Sequence, residues 1–248
     1  MQDSPSSPRF PQFFAGMAVL SVALVISSFI GASAIRKLKP PTDALSVTGS
    51  AKRPISSDYI IWRVSISSQQ PTPQAAYQEL KTRTERVQKY LQDKKVPNDV
   101  VKLSSIDTST VPEVINGRET GNTLAYRLNQ RFEIRSNDVD RISKLSQQST
   151  ELINEGIPLV SEPPEYLYTQ LAKLRIEMVA EATKDAKERA EAIAKSTGSK
   201  IGSVQSAQTG VFQITSRNST EVSNSGIYDT SSIEKDITAV VSVKFAME

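Results

Sequence analysis

Residues 123–135 read TLAYRLNQRFEIR. Leu124, Tyr126, Leu128, Phe132 and Ile134 alternate with Arg127, Asn129, Arg131, Glu133 and Arg135. Successive side chains of an extended strand point to opposite faces, so this alternation puts an apolar row on one side and an arginine-rich polar row on the other. A strand with one apolar and one wet face belongs to a sheet packed on one side only, which antiparallel sheets allow.

The neighbouring segments extend the same picture. Tyr59 to Ser68 is a second alternating strand, with Ile60, Trp62, Val64 and Ile66 on one face and Arg63, Ser65 and Ser67 on the other. Thr72-Pro73 is an N-cap followed by proline at the first helical position. The helix it opens runs to about Lys94 with Ala76, Leu80, Val87 and Leu91 in one stripe, and Pro97 stops it. Val100 to Asp107 reads as a weaker strand, then a polar connection carries Gly117 and Gly121. Asn137 is the expected cap of a helix over 138–154 with Val139, Ile142, Leu145 and Leu152 inward, closed by Glu155-Gly156. Ile157–Val160 and Glu165–Tyr168 read as extended pieces around Pro163-Pro164.

The longest helix spans about Thr169 to Ser196, with an apolar stripe of Leu171, Leu174, Met178, Ala182, Ala186, Ala190 and Ile193. The stripe narrows to alanine, which lets another backbone approach, so this helix is expected to lie flat on a sheet. Strands over 201–214 and 237–245 follow, separated by a polar stretch from Thr215 to Ser232 read as a mobile hairpin tip or a contact loop. Leu45 to Ser50 is a short strand with Gly49 as a turn or bulge signal. Strand pairs separated by single helices predict an α+β fold: an antiparallel-rich sheet with helices packed on one face. A β-β-α pattern near 45–94 and again near 100–154 suggests a duplicated unit, and the body over 45–248 divides into two sub-lobes at about 45–154 and 155–248.

The N-terminus is of another kind. Residues 13–35, FFAGMAVLSVALVISSFIGASAI, carry no Asp, Glu, Lys or Arg. About 20 apolar residues in a helix span the roughly 30 Å hydrocarbon core of a bilayer, so one N-terminal transmembrane helix, an anchor or uncleaved signal, is expected over 13–35, after a cytoplasmic or disordered N-terminus over 1–12 and before a linker over 36–44. Ala32-Ser33-Ala34 is also a signal-peptide cleavage pattern. Arg36, Lys37 and Lys39 outweigh Arg9, and by the positive-inside rule this bias alone leaves the body in the cytoplasm.

Of 30 basic and 27 acidic residues, four and one lie in positions 1–40, so the body carries 26 of each and is neutral. That argues against a nucleic-acid partner, because phosphate contacts need a basic footprint. The chain has no cysteine and no histidine. Disulfides, thiol nucleophiles and the commonest general base and metal ligand are therefore excluded. No catalytic constellation, metal site or cofactor is expected, and the reading is non-enzymatic.

Arg127, Arg131 and Arg135 form one strand row able to meet an anionic lipid, glycan or peptide, or simply a solvated face balanced by Glu133. Glu177, Glu181, Asp185, Glu188 and Glu191 alternate with basic residues at i,i+3 and i,i+4, the pattern of a water-exposed helix. Asn218-Ser219-Thr220 matches a glycosylation sequon.

The segment 185–204, DAKERAEAIAKSTGSKIGSV, resembles the alanine-rich helix, glycine and strand of the SIMPL-domain (DUF541) family, which includes periplasmic and outer-membrane immunogenic proteins of bacteria. LSVTGSA at 45–51 resembles its opening strand, 126–139 its middle strand and helix start, Glu155-Gly156-Ile157 its turn, and 238–245 its closing strand. The resemblance covers about 45–246. It implies an α+β fold, a cell-envelope location with the body on the periplasmic side, a role linked to stress tolerance and self-assembly into a homo-oligomer, and no catalytic residues.

Overall fold

The computed structural model describes residues 11–37 and 44–248. A first helix, α1, spans Pro11–Lys37. Among the described residues no helix is long and apolar enough to count as a membrane span. The described apolar side chains of α1 nonetheless lie open, from 54% exposed at Ile26 to 78% at Phe29.

The body is built as two lobes, each a sheet with helices on one face. In the first lobe, β2 (Tyr59–Gln70) and β5 (Arg118–Ser136) form an antiparallel centre with Trp62 opposite Ile134 and Val64 opposite Phe132. The outer edge of β5 takes β3 (Val101–Leu103) and β4 (Asp107–Ile115), and that of β2 takes β6 (Leu159–Ser161) and β7 (Glu165–Leu167). α2 (Pro73–Asp93), α3 (Val139–Gln148) and the one-turn α4 (Glu151–Asn154) cover one face. Ile60, Trp62, Ile66, Leu80, Phe132, Ile134 and Leu152 are the closed centre of this core.

The second lobe pairs β1 (Ala44–Ser56) along its whole length with β11 (Glu234–Met247). The far side of β11 takes β8 (Ile201–Thr209) and β9 (Gln213–Ser216), and a two-residue β10 (Ile227–Tyr228) adds to β9 in parallel. α5 (Leu171–Ser196) covers this sheet through Leu174, Met178, Ala182, Ala186, Ala190 and Ala194. The alanine stripe does what the sequence suggested. A Cβ on Gly49 of β1 would sit 2.2 Å from the Ala182 carbonyl oxygen and 2.3 Å from the Ala186 nitrogen. Gly49 is thus no turn or bulge; it lies in regular register opposite Val241 and leaves room for a helix backbone.

Other expectations need correction. The single sheet is two sheets. The lobes do not divide near residue 154: β1 belongs with the C-terminal elements, and β6 and β7 belong with the N-terminal ones. Asp138, not Asn137, caps α3 by accepting from the Arg141 N–H at 3.3 Å, while Asn137 donates to the Asp58 carbonyl. The polar connection around Gly117 is a hairpin, β4 to β5, with Asn116 and Gly117 at φ +50° and +78°. Positive φ at both turn residues is the requirement of the tight turn that matches strand twist, and Asn-Gly supplies it.

Edge chemistry explains why β1 runs to 13 residues despite Pro54. The Ser50 N–H donates to Asp185 Oδ2 at 2.7 Å, so even-numbered β1 residues point their N–H groups away from β11. The donor that Pro54 lacks therefore falls on the outer edge, where no ladder bond is lost.

Candidate functional site

The antiparallel register of β2 and β5 sets the polar face of the first lobe. Arg63 lies opposite Glu133, Ser65 opposite Arg131, and Gln69 opposite Arg127. Among the described residues no helix covers this side, and Arg127, Arg131 and Arg135 are all exposed, as their alternation implied. They do not act as one patch of free cations. Arg135 Nε donates to Glu133 Oε1 at 2.6 Å, and Glu133 Oε2 accepts from Arg63 Nε at 3.0 Å. Arg63 Nη1 reaches Glu165 at 2.6 Å, and Arg131 Nη2 stands 3.5 Å from Glu162. The Arg135 guanidinium is the main reason the Glu133 carboxyl is held below its usual range, with Arg63 adding to it against a cost of burial. Glu165, then Glu133, raises the Arg63 guanidinium.

Arg127 differs from the other two. It donates from Nε at 3.1 Å and Nη2 at 2.8 Å to the neutral Gln69 Oε1. Among the described residues no carboxylate comes within 4 Å of it. It borders a surface groove of about 420 Å³ lined also by Ser67, Gln69, Glu79, Arg83 and Asn129. Arg83 in that groove is committed to the Ser67 carbonyl and to Glu79. The row therefore narrows to one available guanidinium beside amides and hydroxyls, suited to a polar or anionic group. Asn129 follows from its alternation with Arg127 along β5, whereas Gln69 escaped the sequence reading because strand register, not local spacing, brings it to Arg127.

The acidic side of α5 is only partly a solvated row. Glu177 and Glu181 both pair with Arg53 of β1, and Asp185 caps the Ser50 N–H and takes Arg189 Nε at 2.9 Å. The Ser50 N–H, then Arg189, depresses the Asp185 carboxyl. Glu188 and Glu191 keep to i,i+4 partners in water, as expected.

A second cluster lay outside the sequence reading. Lys235 on β11 is 1% exposed. Its Nζ donates to Ser57 Oγ at 2.9 Å and to the Tyr166 carbonyl at 2.5 Å. No carboxylate lies within 4 Å among the described residues, and desolvation lowers its pKa against the opposing pull of Asp229. A serine bound to a desolvated lysine is a nucleophile–base geometry. Here, however, the Ser57 and Asp58 N–H groups are spent on the Ile233 and Leu167 carbonyls. Those two donors are closed to an oxyanion, and Ser57 itself is 5% exposed. The cluster reads as a joint. Among the described residues no group of three or more Asp or Glu is placed to hold a metal ion.

The polar loop over 215–232 is tied down rather than loose. The Asp229 carboxylate accepts from Ser231 and Ser232, Gln213 Nε2 donates to the Ser223 carbonyl, and the Asn218 N–H donates to Asp236. The sequon residue Asn218 sits exposed in this turn at φ +63°.

Residues 45–245 match the family described as SIMPL, protein of unknown function (DUF541). No curated protein matches the chain.

Proposed function

The chain belongs to the SIMPL family, and from that premise we propose that it is a membrane-tethered cell-envelope protein that works, without catalysis, by assembling with itself or with partners, in envelope stress tolerance. The observation that carries this reading is the contrast between α1 and the body. The body closes two hydrophobic cores of its own. α1 is 27 residues, about 40 Å at 1.5 Å per residue, and its described apolar side chains have no such cover. Apolar surface of that extent is stable only against something apolar, and the uncharged run over 13–35 fits a bilayer. The family resemblance favours the periplasmic side for the body, against the charge bias at Arg36, Lys37 and Lys39.

Assembly is supported by the state of the sheet edges. β1 is blunted by Asp185 on the Ser50 N–H, by Lys52 and by Pro54. β4 is paired only with β5, and its residues 107–110 are exposed on a nine-residue edge. Ahead of Pro112 it offers a more open template than β1 for a second chain.

Membrane fractionation with an alkaline wash, protease accessibility on intact spheroplasts, and light scattering on the detergent-solubilised full chain test the three parts. A full chain that stays in the soluble fraction without detergent ends the tether. A strict monomer ends assembly.

A second reading is favoured by Arg127: a binding module for an anionic lipid, glycan or peptide on the first lobe's polar face. Arg127→Glu with Arg131→Glu should then abolish binding without unfolding, and unchanged binding removes it.

A further inference from the structure

The lobes share little beyond their joint. Every pair of helices or strands in extensive contact lies within one lobe. The chain passes from one to the other at 57–58, between β1 and β2, and at 168–170, between β7 and α5. These crossings are tied side by side. The Asp58 N–H donates to the Leu167 carbonyl at 3.0 Å, and the Asp58 carboxylate accepts from the Thr169 N–H at 2.7 Å and its hydroxyl at 2.8 Å. The segment leading into β11 lies over them as a strap. Its Thr230 carbonyl accepts from the Tyr166 N–H at 2.7 Å, and its Ile233 carbonyl accepts from the Ser57 N–H at 2.9 Å. Ile233 also reaches the edge of the first core.

Lys235 stands at the centre. It starts on the second lobe's strand, and its ammonium ends on Ser57 in one crossing and on Tyr166 of the first lobe. The carboxylates around it are otherwise engaged. Asp229 on the strap is bound to Ser231 and Ser232, Asp58 to Thr169, Glu165 on β7 to Arg63, and Glu234 to Arg217. A buried ammonium with two neutral acceptors, and no charge to offset its burial beyond the pull of Asp229 from more than 4 Å, is costly, and a well-packed core has no use for one. In a joint it supplies direction: three tetrahedral donors fix where Ser57 and Tyr166 stand relative to β11, which apolar contact cannot do.

We infer that the body is a hinged pair of rigid lobes, turning at 57–58 and 168–170, with Lys235 as the pin that sets the angle between them. Hinges are typically a few residues at element ends, and here both crossings are two or three residues long. The hinge gives an assembling envelope protein a way to present its two polar sheet faces at more than one angle; this use rests on the proposed function, while the hinge itself does not.

The chain has no cysteine, so spin labels can be placed at will in the full chain in detergent. Asp93→Cys with Ala192→Cys spans the lobes. Asp93→Cys with Gln148→Cys, and Ala192→Cys with Gln208→Cys, lie within one lobe each. All four positions are exposed. In double electron–electron resonance, Lys235→Met is expected to shift or broaden the interlobe distance distribution while both intralobe distributions keep the parent's form. An interlobe distribution identical to the parent's overturns the inference, as does an equal change in all three pairs. Asp58→Asn, which touches neither core and loosens the tie to Thr169, is read in the same way and decides the matter if Lys235→Met fails to fold.

Discussion

Replacing Gly49 by alanine adds one methyl group at the place where β1 and α5 come closest. That methyl carbon would lie 2.2 Å from the Ala182 oxygen, 2.3 Å from the Ala186 nitrogen and 2.7 Å from the Ala186 Cα. Ordinary contact begins near 3.4 Å, so strand and helix must part by about 1 Å. All three obstacles are backbone atoms of a helix interior, which cannot swing aside. A gap of about 0.5–1 Å forfeits a quarter to a half of each dispersion contact it opens, and the loss runs down the stripe of Ala182, Ala186 and Ala190, all fully buried. Forced insertions into packed cores cost about 1–3 kcal/mol. The rigid obstacle puts Gly49→Ala at the upper end, less about 0.5–1 kcal/mol returned because alanine has fewer unfolded conformations to lose. A net loss of about 2 kcal/mol corresponds to a fall in Tm of roughly 8–16 °C for a lobe of this size unfolding by itself.

The assay is thermal and urea unfolding of the full chain in detergent, followed by far-UV circular dichroism, which sees α5 directly. Trp62 fluorescence reports the first lobe alone, since Trp62 sits in that core. A second-lobe defect should therefore appear in the helical signal with little change at Trp62. Gly202→Ala is the control. A methyl there would also approach 2.7 Å from a neighbour, but the neighbour is the Glu248 carboxylate, the free end of a flexible side chain. It should be neutral to within about 0.5 kcal/mol, as exposed substitutions usually are. Gly49→Ala within that same margin would refute the claim that helix-to-strand backbone contact fixes the second lobe.

Lys235 gives a pH dependence of defined sign. Its folded pKa lies below the unfolded value of 10.5, so between the two the unfolded chain binds more protons, and its contribution to stability rises with pH across that window. The urea midpoint of the parent should therefore rise relative to that of Lys235→Met as pH is raised toward 10.5; a constant difference refutes it. Asp185 acts in the opposite limb. Its carboxyl is depressed chiefly by the Ser50 N–H, so its contribution is complete above the unfolded value and is lost as pH falls through the folded one. Asp185→Asn should flatten the acid side of the stability curve and leave Trp62 unmoved; an unchanged acid limb counts against the cap. If β4 is the pairing edge, Thr108→Lys with Thr110→Lys should return an oligomer to monomer in light scattering with its circular dichroism intact, and an unchanged mass excludes that edge.

The features legible in the sequence are those whose cause is local. Ile60 to Ile66 and Phe132 to Ile134 alternate because one face is core and the other is water, and Thr72-Pro73 announces α2 because a cap and a fixed φ need no distant partner. β4 carried no such signal. Its residues are exposed or only half-buried on both faces, so no period of two could appear; the one local mark is the Asn116-Gly117 turn, and a glycine in a polar stretch does not by itself distinguish a tight hairpin from a longer connection. The assignment of β1 to the second lobe rests on pairing 44–56 with 234–247, a contact across nearly the whole body that no window of sequence contains.

The same distinction governs the sites. The alternation around Arg127 fixed which face the arginines share, yet which of them is free depended on Glu133, Glu162 and Glu165 arriving from β5 itself, the β6–β7 connection and β7. Lys235 was less legible still, for a reason that bears on function. It stands two residues before the alternating run of 237–245, where a lysine ordinarily marks the solvated start of a strand. Only the meeting of 57–58, 166–169 and 229–233 encloses it. Each lobe satisfies its own hydrophobic demand without that meeting, so core packing does not require a buried ammonium there. What the ammonium does require is that two independently folded sheets stand at one particular angle. A residue whose burial depends on the arrangement of lobes, rather than on the folding of either, is where a change in that arrangement is most directly felt.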